Sequence, residues 1–436
     1  MTPVPTLQLR FACALAAFAA VALVHAGSAH AEEEKKPSFF SRVFGGDKKD
    51  EKPAEPAPAA EKSKSGSKSQ SSSETQKTSE KPQTAEKTKS TEKPKETSKT
   101  ETPGEPDEKP NVAVAGNVKS EIKPSATNPW HVIDVGGRDY VTFESIRNFY
   151  NPLFGFESVK TKGNHLWINS PRLIIKAEVG SKSLLMNNMK FVLSFPVITA
   201  RGHMAVSRLD LVKLIDPILN PTHIAGAEYF DTVVLDAGHG GHEPGARGVF
   251  GYEKDFTLQM VQRLRTALMS KGFKVVLTRS TDTFISLGGR VAIANQIPNS
   301  IFISLHCNYS DNSASGVETW ALTPQGAAAT ISRGGGYNSG RTGNQQDSAN
   351  IALASAVHAR VTTATRAIDR GIMRAQWHVL SGIKKPGVLV ETGFITNASE
   401  CARIKEPAYQ NLIAAAIAEA VVNYREALKP AAMTRR

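Results

Sequence analysis

Three short apolar runs in the second half of the chain each deliver a metal-capable side chain at their carboxyl end, and no other feature restricts the fold as much. Thr232-Val233-Val234-Leu235-Asp236-Ala237-Gly238 leads to His239, Ser300-Ile301-Phe302-Ile303-Ser304-Leu305 leads to His306, and Pro386-Gly387-Val388-Leu389-Val390 leads to Glu391. Runs this short, rich in β-branched residues and separated by helical stretches, fit strands buried on both faces. The expected fold is α/β: a mixed twisted sheet flanked by helices, preceded by a small strand-rich α+β region. Ligands in such sheets gather beyond the carboxyl ends of the strands. Two imidazoles and a carboxylate from distant segments are therefore expected to meet at one site.

A fourth member follows the glycine-rich stretch Gly238 to Ala246. Glu253 opens a helical pattern in which Phe256, Met260, Val261, Leu264 and Leu268 recur at helical spacing, so it can turn back toward His239. A His, Glu, His set with one position left for water is a catalytic zinc arrangement, whereas structural zinc is closed by four ligands, usually with cysteine. Glu391 is then placed to act as general base.

These residues resemble the zinc-dependent N-acetylmuramoyl-L-alanine amidases, type 3. The resemblance is carried by Leu-Asp-Ala-Gly-His-Gly-Gly at 235–241, Pro-Gly-Ala at 244–246, Glu253-Lys254, Arg279 with Asp282, and Arg290 with Ala294-Asn295. Ser304-Leu305-His306, Asn308 and Val390 to Asn397 complete it. It implies His239, Glu253 and His306 as ligands of Zn2+ and Glu391 as the catalytic glutamate. It also implies the substrate, the amide between the lactyl group of N-acetylmuramic acid and L-alanine of the stem peptide, and a role in wall remodelling or daughter-cell separation. Another zinc-dependent wall peptidase and an inactive peptidoglycan-binding protein are the alternatives; the presence of Glu391 counts against the second. The chain departs from the family pattern at Glu243, usually Asp, and at Cys307, usually a small residue; strand alternation turns Cys307 away from the ligand before it.

The formal net charge is +12, but no segment carries a basic stripe interleaved with aromatics, which excludes a nucleic-acid partner. Arg10, the apolar stretch Phe11 to Val24 and Ala29-His30-Ala31 read as an export signal over residues 1–31, so the expected location is the periplasm or cell envelope. Residues 32–126 form a Lys, Glu, Ser, Thr and Pro tract, expected to be a disordered linker because it has too little apolar surface to offset ordering entropy. Cys307 and Cys401 follow the signal; one disulfide between them is arithmetically allowed.

Residues 127–228 read as a separate strand-rich domain, and residues 229–428 as the catalytic domain, with a tail at 429–436. Candidate strands in the first are 131–135, 140–141, 158–161, 165–169, 172–178, 184–186 and 190–193, with Ser207 capping a helix through Leu219. This layout resembles the copper-amine-oxidase-N-terminal-like modules of envelope enzymes, without implying copper. Trp130, Trp167 and Tyr150 are its candidates for cell-wall contact. The insertion Thr323 to Ser348, with Gly334-Gly335-Gly336, is expected to be a mobile loop at the cleft rim, with Asp347 as its one acid able to cover the metal. An activator protein is compatible with the sequence but not required by it.

Overall fold

The computed structural model describes residues 118–224, 229–330 and 339–429. The stretch expected to be an export signal, the expected linker up to residue 117, Gly334 to Gly336 and residues 430–436 lie outside the described residues.

The first strands are β1 (Val118–Ile122), β2 (Val132–Val135) and β3 (Arg138–Thr142), followed by helix α1 (Phe143–Phe154). Five hairpin strands come next: β4 (Val159–Lys162), β5 (His165–Asn169), β6 (Ile174–Glu178), β7 (Ser183–Met186) and β8 (Met189–Val192). After β9 (Ile198–Ala200) and β10 (His203–Ser207), helix α2 spans residues 208–219. Ser207 caps it as expected, its hydroxyl oxygen accepting the Asp210 N–H at 3.0 Å. A π-turn at Leu211–Ile215 lies just ahead of Pro217, which has no N–H to continue the helical ladder.

β1 lies inside the stretch expected to be linker, pairing antiparallel with β2. Its side chains are mostly exposed, as suits an edge strand, so its composition does not separate it from the polar tract before it. α1 is announced by no long apolar run: Thr142 caps it, Gly155 closes it in the left-handed region at φ 66°, and Phe143, Ile146 and Tyr150 are buried.

The second half contains β11 (Thr232–Ala237), α3 (Glu253–Ser270), β12 (Lys274–Leu277), α4 (Leu287–Gln296), β13 (Ser300–Asn308) and β14 (Val317–Leu322). It continues with α5 (Asp347–Thr365), β15 (Asp369–Ala375), α6 (His378–Gly382), β16 (Gly387–Phe394), α7 (Ala398–Ile404) and α8 (Pro407–Ala427). The apolar stripe on α3 is buried as its spacing predicts. α5 and α8 pack together through alanine-rich faces, whose small side chains permit close approach. Cys307 and Cys401 are both buried and free.

Two sheets organise these strands. The smaller runs β1-β2-β3-β10-β9, and the larger runs β12-β11-β13-β16-β14-β15-β8-β7-β6-β5-β4. Strands β12, β11, β13 and β16 are parallel, and β14 enters antiparallel to β16, so the α/β sheet is mixed.

The strand-rich region is not detached from it, contrary to the separation expected from sequence. β8 continues the large sheet beside β15 through the pair Phe191 and Ile372, both buried. Arg374 of β15 reaches across to Asp210 at 3.1 Å and to Ser194 at 2.6 Å, with Arg374 and Asp210 almost fully enclosed. Asp369 accepts the Lys190 N–H at 2.9 Å and pairs with buried His358 at 2.8 Å, whose other nitrogen meets Thr319 at 2.9 Å. An unpaired β15 edge would otherwise expose its backbone donors and acceptors.

The insertion after β14 also departs from the loop expected at the cleft rim. β14 runs opposite to β13 and β16, so residues after Leu322 leave from the far end of the sheet. Thr323 N–H bonds Ala375 O at 3.1 Å, Thr330 N–H bonds Arg374 O at 2.8 Å, and Asn344 bonds Thr323 O at 2.9 Å. Asp347 is buried at the start of α5, 3.3 Å from Lys213 Nζ. The described parts of the insertion are therefore anchored away from the cleft rim.

Candidate metal centre

The loop after β11 is fixed from beneath by two arginines. Asp236, fully buried, accepts hydrogen bonds from Thr278 at 2.6 Å, Ser304 at 2.7 Å and Arg290 at 2.7 Å. Burial pushes its carboxyl up, but the Arg290 charge and the two hydroxyls outweigh that and hold it below the usual range. Arg290 also donates to Ala237 O and His239 O, while Arg279 donates to Ala237 O, Gly238 O and Lys254 O. With the carbonyls on either side held, His239 takes the left-handed conformation at φ 60°. Asp282 accepts the Gly241 N–H at 2.8 Å and the Lys254 ammonium at 2.6 Å, tying the glycine loop to the start of α3.

Two glycines make room for the ligating side chains. A Cβ at Gly238 would lie 2.4 Å from the His306 ring. At Gly245, where φ is 68°, it would lie 2.6 Å from both Glu253 Oε2 and the His239 ring.

The structure brings together the three residues that the sequence proposes as metal ligands. One ligand atom each from His239, Glu253 and His306 lies within 4.8 Å of the others. His239 Nε2 is 3.1 Å from Glu253 Oε2, and His306 Nδ1 is 2.9 Å from Glu253 Oε1. Glu253 also accepts the Ala246 and Cys307 N–H groups at 2.9 and 3.1 Å. Burial would raise its carboxyl, but hydrogen bonds and charge from the two imidazoles prevail and hold it well below the usual range. The residues fit a divalent ion: two imidazole nitrogens and a carboxylate are the donor types zinc takes, one donor atom from each lies within 4.8 Å of the others, and ligands at about 2.0–2.2 Å in tetrahedral array stand about 3.3 Å apart. Glu243 is exposed and outside this cluster, its backbone paired with that of Gly240.

Glu391 stands opposite His306 in the parallel register of β16 and β13. Its Oε2 is buried and accepts no hydrogen bond from the described residues. Burial first, then the nearby carboxylates of Glu253 and Glu318, push its carboxyl well above the ordinary range. Glu318 faces it from β14 and is itself held by Arg370 at 2.8 Å and Asn308 at 2.9 Å. Sequence reasoning did not place Glu318 or Arg370 here, because neither belongs to a motif and only the antiparallel entry of β14 brings them to the site. Cys307 lies on the enclosed face, as alternation predicts, with its sulfur 3.5 Å from the Thr392 hydroxyl.

His242, left without a role by the sequence, packs its ring 4.3 Å from Phe284. Tyr150 is fully buried and Trp130 leans on Phe149, which places both in packing.

Residues 233–423 match the family model described as N-acetylmuramoyl-L-alanine amidase. The N-acetylmuramoyl-L-alanine amidase LytC of Bacillus subtilis (strain 168) is 31% identical over 267 residues, which is 61% of this chain and 45% of that protein. This chain thus spans under half of that relative. AmiA of Escherichia coli (strain K12), also named N-acetylmuramoyl-L-alanine amidase, is 32% identical over 220 residues, 44% of this chain and 75% of that protein. The solved catalytic domain of CwlV, from Bacillus (Paenibacillus) polymyxa var. colistinus, is 33% identical, covering 45% of this chain and 99% of that domain, with a TM-score of 0.39. The matched residues include the His239 loop, Glu253, His306 and Glu391, and the chain belongs to the type 3 N-acetylmuramoyl-L-alanine amidase family.

Proposed function

We propose that this protein is an exported peptidoglycan hydrolase. It cleaves the amide between the lactyl group of N-acetylmuramic acid and L-alanine of the stem peptide, with Zn2+ held by His239, Glu253 and His306. The observation that carries this reading is the meeting of three donor atoms within 4.8 Å beside a strand whose Glu391 presents an unpartnered carboxylate oxygen. Family membership supports the substrate. Cell-wall remodelling or daughter-cell separation is the matching role, and the signal-like start of the sequence supports an envelope location. Among the described residues no helix is long and apolar enough to cross a membrane.

A zinc ion in such a site supplies activation of water near neutral pH and polarisation of a carbonyl. The remaining steps belong to the chain. Glu253 bridges the two imidazoles, so the three donors are aligned before substrate arrives. Glu391 accepts a proton from the attacking water at its free oxygen and returns it to the departing amine of L-alanine. An enclosed carboxyl with a raised proton affinity suits that exchange better than a solvated one. The products are a glycan bearing a free lactyl carboxylate and a peptide with a free amino terminus.

Mass spectrometry of purified sacculi treated with the protein, with and without a zinc chelator, tests this. Chelator-sensitive release of peptides starting at L-alanine is the expected result. Cleavage within the stem peptide instead would assign a peptidase.

A further inference from the structure

The hairpin strands β4 to β8 present one face to the core and one to solvent. Leu166, Ile168, Ile175, Leu184, Met186 and Phe191 are buried on the inner face. On the outer face the register aligns one residue from each strand into a row: Lys160, Trp167, Lys176, Leu185 and Lys190. Lys160 is exposed and the other four are half-buried. A second row starts with Lys162, His165 and Glu178.

Cation and apolar side chain thus alternate across five strands. Adjacent strands lie about 4.8 Å apart, so successive lysines stand about 9.6 Å apart with an apolar side chain between them. That is similar to the length of two pyranose rings in a chain. Trp167 leans toward His165, with ring centroids 5.9 Å apart. The strand residues of this face carry four lysines and one carboxylate, Glu178. The contacts made by these lysines are slight: Lys160 meets exposed Glu157 at 3.2 Å and Lys176 donates to Asn188 at 2.9 Å.

We infer that this face binds peptidoglycan glycan strands bearing free carboxylates, with Trp167 lying on a sugar ring and Lys160, Lys176 and Lys190 paired with carboxylates. The inference rests on the amidase reading, since hydrolysis of the lactyl amide leaves a carboxylate on the muramoyl residue. Charge complementarity commits the surface to this occupant: a neutral polysaccharide would use the tryptophan and leave the lysines idle. An anionic membrane would use the lysines without needing a ring at Trp167. The surface belongs to the same sheet as the metal centre, so a strand held here is retained near an enzyme that acts on such strands.

The test is co-sedimentation of the full chain carrying Glu391→Gln, chosen to remove the proposed general base, with peptide-free glycan strands. Chitin and anionic-lipid vesicles serve as comparison probes. Trp167→Ala, and separately Lys160→Glu with Lys176→Glu, should each weaken glycan binding about tenfold or more, with binding falling as salt rises. The same changes in the active protein should leave hydrolysis of a small soluble muramoyl-peptide unchanged. Equal sedimentation of parent and variants, or parent binding to vesicles or chitin as strong as to the glycan strands, overturns the inference. Failure of the active parent to cleave the soluble muramoyl-peptide would instead remove the amidase reading, and the two failures are read in separate assays.

Discussion

Glu391 on β16 is the register partner of His306 on β13, so a carboxylate and an imidazole stand side by side on neighbouring parallel strands. Strand spacing of about 4.8 Å fixes their backbones relative to each other. Neither depends on a loop for its placement. His239 does, and the buried Arg279 and Arg290 make that loop comparably fixed.

This division predicts two kinds of loss at the site. His239→Ala, Glu253→Ala or His306→Ala should lower zinc content, because each removes one of three donors. Glu391→Ala should keep zinc near one ion per chain while turnover falls roughly 100-fold or more, the usual scale of acid–base assistance. Elemental analysis beside sacculus hydrolysis reads both. Zinc retained in full by all three ligand variants would reject the ligand set, and brisk turnover in Glu391→Ala would require another base.

Asp236 should matter to stability in a pH-dependent way. Asp236→Asn leaves buried Arg290 without its counter-charge, which costs about 3–5 kcal/mol. The folded-state carboxyl is held below its unfolded value of about 3.9, so its contribution is complete above that pH and is lost as pH falls through the folded value. Urea unfolding at pH 7 and near pH 3 should show a wide gap between parent and variant at the first and a narrower one at the second. A gap independent of pH would mean the carboxylate charge is not the stabilising element.

The strand-rich region should unfold with the catalytic region. Arg374→Ala strands Asp210, and Asp210→Asn strands Arg374, so each should cost about 3–5 kcal/mol, with the double variant well short of the sum. Calorimetry should show one shared transition in the parent. Two resolved transitions, or fully additive costs, would show that the β8 to β15 junction does not couple the regions.

The parts of this arrangement that the sequence makes legible are those written in local pattern. His239, His306 and Glu391 end apolar runs, the α3 stripe has helical spacing, and His165 to Asn169 alternates as a strand should; each lies where its pattern predicts. What stays hidden depends on partners far apart in the chain. Phe191 and Ile372 read as ordinary apolar residues until β8 and β15 meet, so the joint between the regions has no local signature. The direction of β14 is hidden too, and with it the side of the sheet from which the insertion leaves and the presence of Glu318 beside Glu391. Val118 to Ile122 fails for a different reason: an edge strand with exposed, polar side chains has the composition of a linker.

Gly238 offers the sharpest separation of site from fold. A methyl group there would fall 2.4 Å from the His306 ring, a distance that real Cβ contacts do not reach, so the ring must rotate or shift. His306 is one-fifth exposed at its side chain and has room to move outward, whereas β11 is buried along its whole length and cannot yield. Gly238→Ala should therefore displace the imidazole before it disrupts the sheet, weakening zinc binding roughly 10- to 100-fold while the unfolding midpoint changes little. Gly272→Ala is the contrasting control: unlike Gly238 it carries a positive φ, at 81°, and a Cβ there meets nothing within 4 Å, so it should add backbone strain without touching zinc. Zinc titration and thermal unfolding of the two variants, measured together, would reject this account if Gly238→Ala bound zinc as the parent does.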